Sequence, residues 1–485
     1  MKRFLSLLIA SIFITNIAMP MKRTNDEQQN VTEAKKQHMQ GPAAGPEVIR
    51  VPGSQAKTLV SAAAFALASK TLAQFQSIDP ATHFIDPKTK FPIITDVCKE
   101  FLYHEILKQA QQRWPNVNWY DIYTIDISNG GHTGGVTTVA FSPDGNTLAS
   151  GSENRTVKIY QRDAASDTWN VVHTFDATNG GHTNWVKSVA FSNGGNTLAS
   201  GSCDRTVKIY QRDAASGTWN VVRTFDATNG GHTGTVESVA FSYDGNTLAS
   251  SSLALDHTVK IYQRDTSGTW NVVHTFDASN GGHTDWVNTV AFSNDGNTLA
   301  SCLADYTVKI YQRDALSGAW NVLHTFNATN GGHTDMVYTV AFSPDGNTLA
   351  SGSVDNTVKI YQRDATSGTW NVVHTFDASN GGHTNWVNTV AFSNDGNTLA
   401  SGSWHHTVKI YQRDALSGAW NVLHTFNATN GGHTDRVYTV VFSPDGNTLA
   451  SCSYDRTIKL YRPHNFGSLE NLLGFIKTLP QTVGR

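Results

Sequence analysis

Seven histidines recur at almost even spacing along the chain, and histidine side chains commonly serve as general bases and metal ligands. The interval is 50 residues at every step but one, where it is 51. Each follows a glycine, at His132, His182, His232, His283, His333, His383 and His433. By residue type alone they could form a ligand set, but their place in equivalent repeated units favours an architectural role.

Other catalytic patterns are missing from the sequence. It has no Gly-x-Ser-x-Gly motif and no glycine-rich loop ending in Gly-Lys-Ser or Gly-Lys-Thr. Its Asp-Gly-Asn turns lack the ligand spacing of a calcium loop. We therefore expect a protein that is not an enzyme, with no cofactor, no bound metal and no small-molecule substrate.

Charge and cysteine content limit the classes of protein to which this chain can belong. The net charge is -3 with 15% charged residues, so no basic surface for nucleic acid is expected. Four cysteines show no Cys-x-x-Cys spacing and are interpreted as buried or incidental thiols: Cys98, Cys203, Cys302 and Cys452.

The N-terminus has the pattern of an export signal. Two positive charges at residues 2 and 3 precede an apolar run over residues 4–18, which is short for a membrane span. The cleavage signal at residues 16–18 is weak, so an uncleaved anchor stays open. We expect residues 1–20 to be a signal peptide or signal anchor, any membrane tether to be confined to residues 4–19, and the protein to be exported.

Three further segments flank the repeats. Residues 21–55 are polar and contain glycine and proline, which predicts a flexible linker. Residues 56–115 predict a helical segment that is either a packing element or an interaction module. In the tail over 463–485, apolar residues at i, i+3, i+4 and i+7 predict a short amphipathic helix: Leu469, Leu472, Leu473 and Ile476.

Each repeat contains four short runs rich in β-branched and aromatic residues. In the first repeat these runs are residues 136–142, 147–152, 156–161 and 170–175, and turn-forming sequences separate them. Each repeat therefore predicts a four-stranded antiparallel sheet.

The repeated motif is Gly-His followed by Val-x-x-Val-Ala-Phe-Ser-Pro-Asp-Gly-Asn-x-Leu-Ala-Ser-Gly-Ser-x-Asp-x-Thr-Val-Lys-Ile-Tyr. It resembles the WD-repeat family, to which the G-protein β-subunit belongs. The resemblance implies an all-β fold, a seven-bladed β-propeller over residues 116–462. One departure is systematic, because tyrosine stands where the family usually has tryptophan: Tyr160, Tyr210, Tyr262, Tyr311, Tyr361, Tyr411 and Tyr461.

The seventh repeat ends after its third strand, and its missing partner lies at the other end of the repeats. Residues 119–126 align with residues 169–176 of the first repeat at an offset of 50. We therefore expect the N-terminal strand to close the ring, since an unpaired edge would favour aggregation.

The resemblance also implies a hydrogen-bonded network in each blade, which joins the repeated histidine to a serine of the second strand and an aspartate of the following turn. In this chain it assigns four such networks: His182, Ser200 and Asp204; His283, Ser301 and Asp305; His333, Ser351 and Asp355; and His433, Ser451 and Asp455. Asn154 and His405 replace the aspartate in blades one and six, so these blades are expected to be the loosest. Tyrosine in place of tryptophan leaves the fourth member of each network open.

Positions that differ between the otherwise near-identical repeats indicate where the scaffold does not dictate the residue. Strand direction places them on one face, and its aromatic, Met and Arg content is typical of protein-binding surfaces. The predicted binding residues are Trp185, Lys187, Glu237, Trp286, Met336, Tyr338, Trp386, Trp404, Arg436, Tyr438 and Tyr454. The sequence thus predicts a monomeric scaffold for a protein or peptide partner. Surface adhesion or glycan binding is the alternative function, and neutral drift is the alternative origin of the variation.

Overall fold

The computed structural model describes residues 119–253, 256–414 and 417–463. The predicted signal, linker and N-terminal helical segment lie outside these ranges, as does the tail beyond Pro463. Within the described ranges, no helix is both long and apolar enough to cross a membrane.

The first strand of each repeat combines valine and phenylalanine with small residues, a composition suited to a strand buried among its neighbours. These innermost strands are β2 (Val136–Phe141), β6 (Val186–Phe191), β10 (Val236–Phe241), β14 (Val287–Phe292), β18 (Val337–Phe342), β22 (Val387–Phe392) and β26 (Val437–Phe442).

A tight turn with a left-handed glycine, such as Gly145 with φ of 69°, returns the chain into the second strand. These strands are β3 (Thr147–Ser152), β7 (Thr197–Ser202), β11 (Thr247–Ser252), β15 (Thr298–Leu303), β19 (Thr348–Ser353), β23 (Thr398–Ser403) and β27 (Leu449–Ser453). Almost every residue in them is buried, because the sheets of the neighbouring blades cover both faces.

The third strand carries the repeated Val-Lys-Ile-Tyr sequence, or Ile-Lys-Leu-Tyr in the last repeat. These strands are β4 (Val157–Asp163), β8 (Val207–Arg212), β12 (Val259–Arg264), β16 (Val308–Arg313), β20 (Val358–Arg363), β24 (Val408–Arg413) and β28 (Ile458–Pro463).

The fourth strand is outermost and has one half-exposed side. These strands are β1 (Trp119–Ile125), β5 (Thr168–Phe175), β9 (Trp219–Phe225), β13 (Trp270–Phe276), β17 (Trp320–Phe326), β21 (Trp370–Phe376) and β25 (Trp420–Phe426). Short 3-10 turns follow three of them, at Ile127–Asn129, Ala328–Asn330 and Ala378–Asn380.

The described strands form seven four-stranded antiparallel sheets, so the predicted fold is confirmed. Six sheets take their strands in chain order. The seventh has the order β1, β28, β27, β26, and its register pairs Trp119 with Pro463. The N-terminal strand therefore closes the ring, as the alignment of residues 119–126 with 169–176 predicts.

The apolar core lies between adjacent blades. A representative cluster joins Ile159 and Phe175 of blade one to Val186, Leu198 and Tyr210 of blade two. The ring centroids of Phe175 and Tyr210 are 4.4 Å apart, and Tyr210 is fully buried. Because each cluster takes residues from two sheets, no blade can bury its apolar surface alone.

Hydrogen bonds also join the innermost strands of neighbouring blades. The amide of Val189 donates to Thr138 Oγ1 at 3.1 Å, and the same pattern recurs around the ring. Across the closure, Thr439 Oγ1 of blade seven donates to the carbonyl oxygen of Thr137 in blade one at 3.0 Å. The first and last repeats are thus bonded as neighbours.

Strand direction gives the propeller two distinct ends. First strands begin, and second strands finish, at the end that carries the Gly-His loops. The third strand β28 finishes at the other end, where its partner β1 starts. The chain therefore enters the propeller at Trp119 and leaves it at Pro463 at the end opposite the Gly-His loops.

Candidate functional site

The network predicted in blade two is formed. Nδ1 of His182 is 2.9 Å from Asp204 Oδ2, and Nε2 is 2.6 Å from Ser200 Oγ. Ser200 Oγ is in turn 2.9 Å from the hydroxyl of Tyr210. A histidine that donates from Nδ1 and accepts at Nε2 uses both ring nitrogens within the network.

Blades five and seven repeat this geometry. Nδ1 is 2.8 Å from the aspartate in the first case and 2.9 Å in the second, and Nε2 is 2.6 Å from the serine in both. The residues are His333, Ser351 and Asp355 in blade five, and His433, Ser451 and Asp455 in blade seven.

Blade three has a fourth complete network that the sequence analysis missed. His232 contacts Asp256 at 2.9 Å and Ser250 at 2.6 Å. The aspartate lies two positions later than in the other blades because blade three has an insertion near residues 254–255. Its signal was the intact Asp-His-Thr-Val sequence after that insertion, which matches Asp-x-Thr-Val elsewhere.

Both ring nitrogens of the histidines in these four networks are hydrogen-bonded, so neither nitrogen is free to act as a general base. Burial lowers the pKa of His182, which stays neutral and acts as a donor. Burial alone would raise the pKa of Asp204, but the hydrogen bond with Nδ1 of His182 holds that pKa well below its usual range. No group of His, Cys, Asp and Glu among the described residues is arranged to hold a metal ion.

Blades one and six lack the carboxylate at the turn. In blade one, Nδ1 of His132 lies 2.9 Å from Thr156 Oγ1 and 3.3 Å from the amide oxygen of Asn154. In blade six, Nδ1 of His383 has Thr407 Oγ1 at 3.1 Å. Burial lowers the pKa of both histidines to about 3. The contacts at Nδ1 in these two blades are therefore uncharged.

Blade four departs from the expected network. Nε2 of His283 contacts Ser301 Oγ, but its buried Nδ1 has no hydrogen-bond partner among the described residues. Asp305 accepts from the amide and hydroxyl of Thr307, as the aspartates of the complete networks do from their threonines, but the expected bond between His283 and Asp305 is absent.

Blade four also differs from blade two one position before the turn. In blade two, Ser202 Oγ accepts from the amide of Asp204 at 3.0 Å and anchors the turn. Blade four has Leu303 at that position, which is fully buried and cannot accept this bond. The sequence signal was Ser-Cys-Leu-Ala-Asp in place of Ser-Gly-Ser-x-Asp.

Tyrosine closes every network despite the loss of the indole. Its hydroxyl lies 2.9–3.4 Å from the network serine in all seven blades. Burial raises the pKa of these phenols far above their usual range, so they remain neutral. The hydroxyl therefore supplies the contact that the replaced tryptophan left open.

The variable positions meet at the Gly-His end of the propeller. A backbone hydrogen bond joins two of the variable series within each blade, as from the amide of Trp404 to the carbonyl of Trp386 at 2.9 Å. Equivalent bonds link Cys203 to Trp185 and Tyr454 to Arg436. We call this surface the variable face, with the residues Trp185, Lys187, Glu237, Trp286, Met336, Tyr338, Trp386, Trp404, Arg436, Tyr438 and Tyr454.

Blades five to seven contribute one continuous aromatic cluster to this face. The ring centroids of Trp386 and Trp404 are 5.0 Å apart, and Trp386 is 6.3 Å from Tyr338. The guanidinium carbon of Arg436 lies 3.8 Å from the Trp404 ring centroid and 5.4 Å from that of Tyr454. Tyr454 in turn contacts Tyr438, with centroids 6.4 Å apart. We call these six residues the aromatic-arginine cluster.

Two tryptophans stand apart from the cluster. Trp185 in blade two and Trp286 in blade four are each 45% exposed, whereas Trp386 and Trp404 are partly buried against each other. The four variable tryptophans therefore form one packed pair and two isolated exposed rings.

Blades one to three contribute charged residues beside the single exposed ring of Trp185. Lys187 Nζ is 3.3 Å from Glu237 Oε1. Burial opposes ionisation of Lys187, but the charge of Glu237 raises its pKa above the usual value. Burial raises the pKa of Glu153, against the opposing charges of Lys187 and Arg436. The two halves of the variable face thus differ in chemistry.

Some variable positions have structural contacts. Asn288 and Asn388 donate to carbonyl oxygens of the next blade at 2.8 and 2.9 Å. Gly135 leaves room for a neighbour, because a Cβ there would lie 2.9 Å from the ring of Tyr454. Variation between repeats therefore reflects fit between blades at these sites.

One variable series was missed. The residue after the turn aspartate has a positive φ in every blade, between 48° and 71°, although none is glycine. The series is Arg155, Arg205, His257, Tyr306, Asn356, His406 and Arg456. The sequence feature that could have revealed this series is the residue that varies inside the Asp-x-Thr sequence.

The opposite end of the propeller has fewer exposed apolar residues. Tyr243 is 56% exposed and Leu316 is 99% exposed, in turns of blades three and four. A pocket of about 250 Å³ between these blades is lined by residues that include Arg313 and Trp320. No residue of the variable face lines it.

Comparison with known families agrees with this geometry. The pattern described as WD domain, G-beta repeat matches residues 122–161, 169–211, 219–263, 270–312, 320–362, 370–412 and 420–462. Among curated proteins, none matches this chain significantly. Each match takes in the fourth strand of one sheet and the first three strands of the next, and the seven matches together cover more than half of the chain, which therefore belongs to the WD-repeat family.

Proposed function

We propose that this propeller is a non-enzymatic scaffold that binds a protein or peptide partner on the variable face. WD-repeat propellers are typically protein-interaction scaffolds. The observation that carries the choice of face is the aromatic-arginine cluster, in which Trp386, Trp404, Arg436 and Tyr454 are in contact and remain partly open to solvent. Tryptophan, tyrosine and arginine are the residue types that contribute most to binding energy at protein interfaces.

The isolated tryptophans support the same face. An indole that is nearly half exposed, as in Trp185 and Trp286, keeps apolar surface in water that a partner would cover. The buried histidine networks hold the loops beneath these rings, so the surface is formed before a partner arrives. A preformed surface loses less entropy on binding.

Export also belongs to the proposal. The charged and apolar pattern of residues 1–20 is the reason to expect the partner outside the cytoplasm, and the scaffold is expected to act as a monomer.

The test is a capture experiment with matched variants of the full chain. One variant replaces the four tryptophans by residues that other blades carry at the same positions: Trp185→Thr, Trp286→Thr, Trp386→Met and Trp404→Val. A control variant changes the opposite end, with Tyr243→Asn and Leu316→Ser. Proteins retained by the wild type from the native exported fraction should be lost with the first variant and kept with the control.

Two results would overturn the proposal. Equal capture by all three proteins, with unchanged melting temperatures, would place binding away from the variable face. Retention of glycans in place of proteins, again dependent on the four tryptophans, would assign the face to adhesion.

A further inference from the structure

We propose that Arg436 is a receptor for a carboxylate, and that the partner segment has an acidic side chain next to an apolar one. This inference rests on the proposed function, because it names the chemistry of the partner at the same face. It starts from the only charged residue in its series: the other blades carry Gly135, Trp185, Thr235, Trp286, Met336 and Trp386 at this position.

The guanidinium of Arg436 is held in place by two rings. Its central carbon lies 3.8 Å from the Trp404 centroid, which is close stacking, and 5.4 Å from that of Tyr454. Trp404 is itself supported by Trp386. A stacked guanidinium loses little further freedom when it binds a ligand, and stacking leaves its N–H edge available.

The nearest carboxylate does not occupy that edge. Asp435 Oδ1 is 4.0 Å from Nε of Arg436, which is beyond hydrogen-bond range. The same oxygen accepts from the backbone amide of Arg436 at 2.7 Å and lies 3.9 Å from Nε2 of His406. The side chain of Arg436 remains 37% exposed. The guanidinium also interacts with the hydroxyl of Tyr438, but a planar guanidinium that stays partly exposed is suited to a bidentate carboxylate.

Neighbouring charges favour a single negative charge on the ligand. Asp435 and Glu153 place negative charge near Arg436, and the positive charge of Lys187, which also acts on Glu153, opposes it. Two carboxylates beside Arg436 would repel a phosphate, which carries nearly two charges, more than a carboxylate.

The surroundings also select the residue beside the carboxylate. Trp386, Trp404 and Met336 present partly buried apolar surface on blades five and six. A partner segment with its acid on Arg436 would place a neighbouring side chain there, so an aliphatic or aromatic residue fits.

The test uses a displayed library of random peptides panned on the full-length protein. Peptides that bind the wild type should be enriched in Asp or Glu adjacent to an aromatic or aliphatic residue. Arg436→Met, which takes the residue of blade five, should abolish this preference. Arg436→Lys keeps the positive charge but loses the paired N–H donors of the guanidinium, so it should weaken binding. The control Arg205→Asn, which takes the residue of blade five at an exposed turn position, should change nothing.

Synthetic versions of an enriched peptide make the result quantitative. Arg436→Met should reduce affinity at least about tenfold, and replacing the peptide acid by its amide should cause the same loss without adding to it. Melting temperatures of all variants are measured in parallel.

Each other outcome has a distinct meaning. Peptides that require Trp404 but show no acidic preference would overturn the carboxylate site and leave the proposed function intact. Tighter binding of a phosphoserine peptide than of the aspartate peptide would assign the site to phosphate and also overturn it. Peptides that bind independently of both Trp404 and Arg436 would contradict the proposed function itself.

Discussion

At the scale of single residues, the seven repeated histidines are the clearest case of chemistry used for architecture. His182 and its three counterparts in blades three, five and seven are buried beside a carboxylate, a serine and a phenol. A satisfied buried network of this kind specifies one arrangement of the loop above it. The histidines therefore fix the loops that carry the variable face.

Acid should weaken the fold through the histidines that lack a carboxylate. An unfolded histidine takes up a proton near pH 6.5, whereas the pKa of His132 and His383 is about 3 when folded. Between these values the unfolded state binds more protons. The stability that these residues contribute is therefore complete above pH 6.5 and is lost as the pH falls toward 3.

The expected loss is about 2 kcal/mol for each of these two histidines at pH 5, as an order of magnitude. Urea unfolding at pH 7.5 and pH 5 measures it. An unfolding midpoint that does not move between the two pH values would contradict the burial of neutral histidines.

Blade six offers a direct repair of its network. The amide of His405 is bonded to Ser403 Oγ at 3.2 Å, as the amide of Asp204 is to Ser202, while the His405 side chain is exposed. The backbone is therefore arranged for aspartate, and His405→Asp should add about 1 kcal/mol by supplying the missing partner of His383. Thermal or urea unfolding checks the gain.

The control is the next residue. His406 is partly buried and has a positive φ, and its ring does not occupy the network position, so His406→Asp should bring no gain. A stability of His405→Asp at or below that of the wild type would show that Thr407 already satisfies His383 fully.

Individual residues also show where the sequence was insufficient. The complete networks of blades two, five and seven followed from the repeated motif. The absence of the bond between His283 and Asp305 did not, because blade four retains the histidine, serine and aspartate of the motif. Whether such a bond forms can be judged only from the three-dimensional geometry of the turn.

At the scale of elements, ring closure combines a predicted strand with an unpredicted ion pair. The carboxylate of Asp167 in blade one accepts two hydrogen bonds from the guanidinium of Arg462 in blade seven, with N to O distances of 2.6 and 3.3 Å. It also accepts from Arg162 at 2.7 Å. Both Asp167 and Arg462 depart from the repeat, which has glycine and glutamine at most of these positions.

The ion pair should be measurable as a coupling across the closure. Arg462→Gln restores the repeat residue and should lower stability by about 1 kcal/mol, since the pair is partly exposed. Asp167→Gly removes the same pair but relieves a positive φ of 56°, so its own effect is smaller.

A double-mutant cycle separates the contribution of the ion pair from the effect of each substitution alone. In the Asp167→Gly background, Arg462→Gln should have little further effect. Additive losses in the double variant would mean that the two side chains do not stabilise the closure through each other.

The elements themselves were the part most open to prediction. The aligned residues 119–126 located the closing strand because the repeat period is independent of side-chain packing. Asp167 and Arg462 were equally visible as departures from the repeat, but nothing in the sequence places blade seven's third strand beside blade one's loop at bonding distance.

At the scale of the whole molecule, the two ends of the propeller carry different features. The chain enters at Trp119 and leaves at Pro463 at one end, and the variable face occupies the other. The strand pattern allowed the face to be predicted, but the grouping of its tryptophans was not predictable, because the packing of Trp386 on Trp404 depends on blade geometry.

The central claim is that the variable face binds and the repeated scaffold only supports it. Trp404→Val, which takes the residue of blade five, separates the two most directly. Calorimetric titration with the captured partner should show an affinity loss of about 1–4 kcal/mol, and urea unfolding should change by less than about 1 kcal/mol. Trp219→Val in the buried scaffold should give the reverse pattern. An unchanged affinity for Trp404→Val, with folding intact, would contradict the claim.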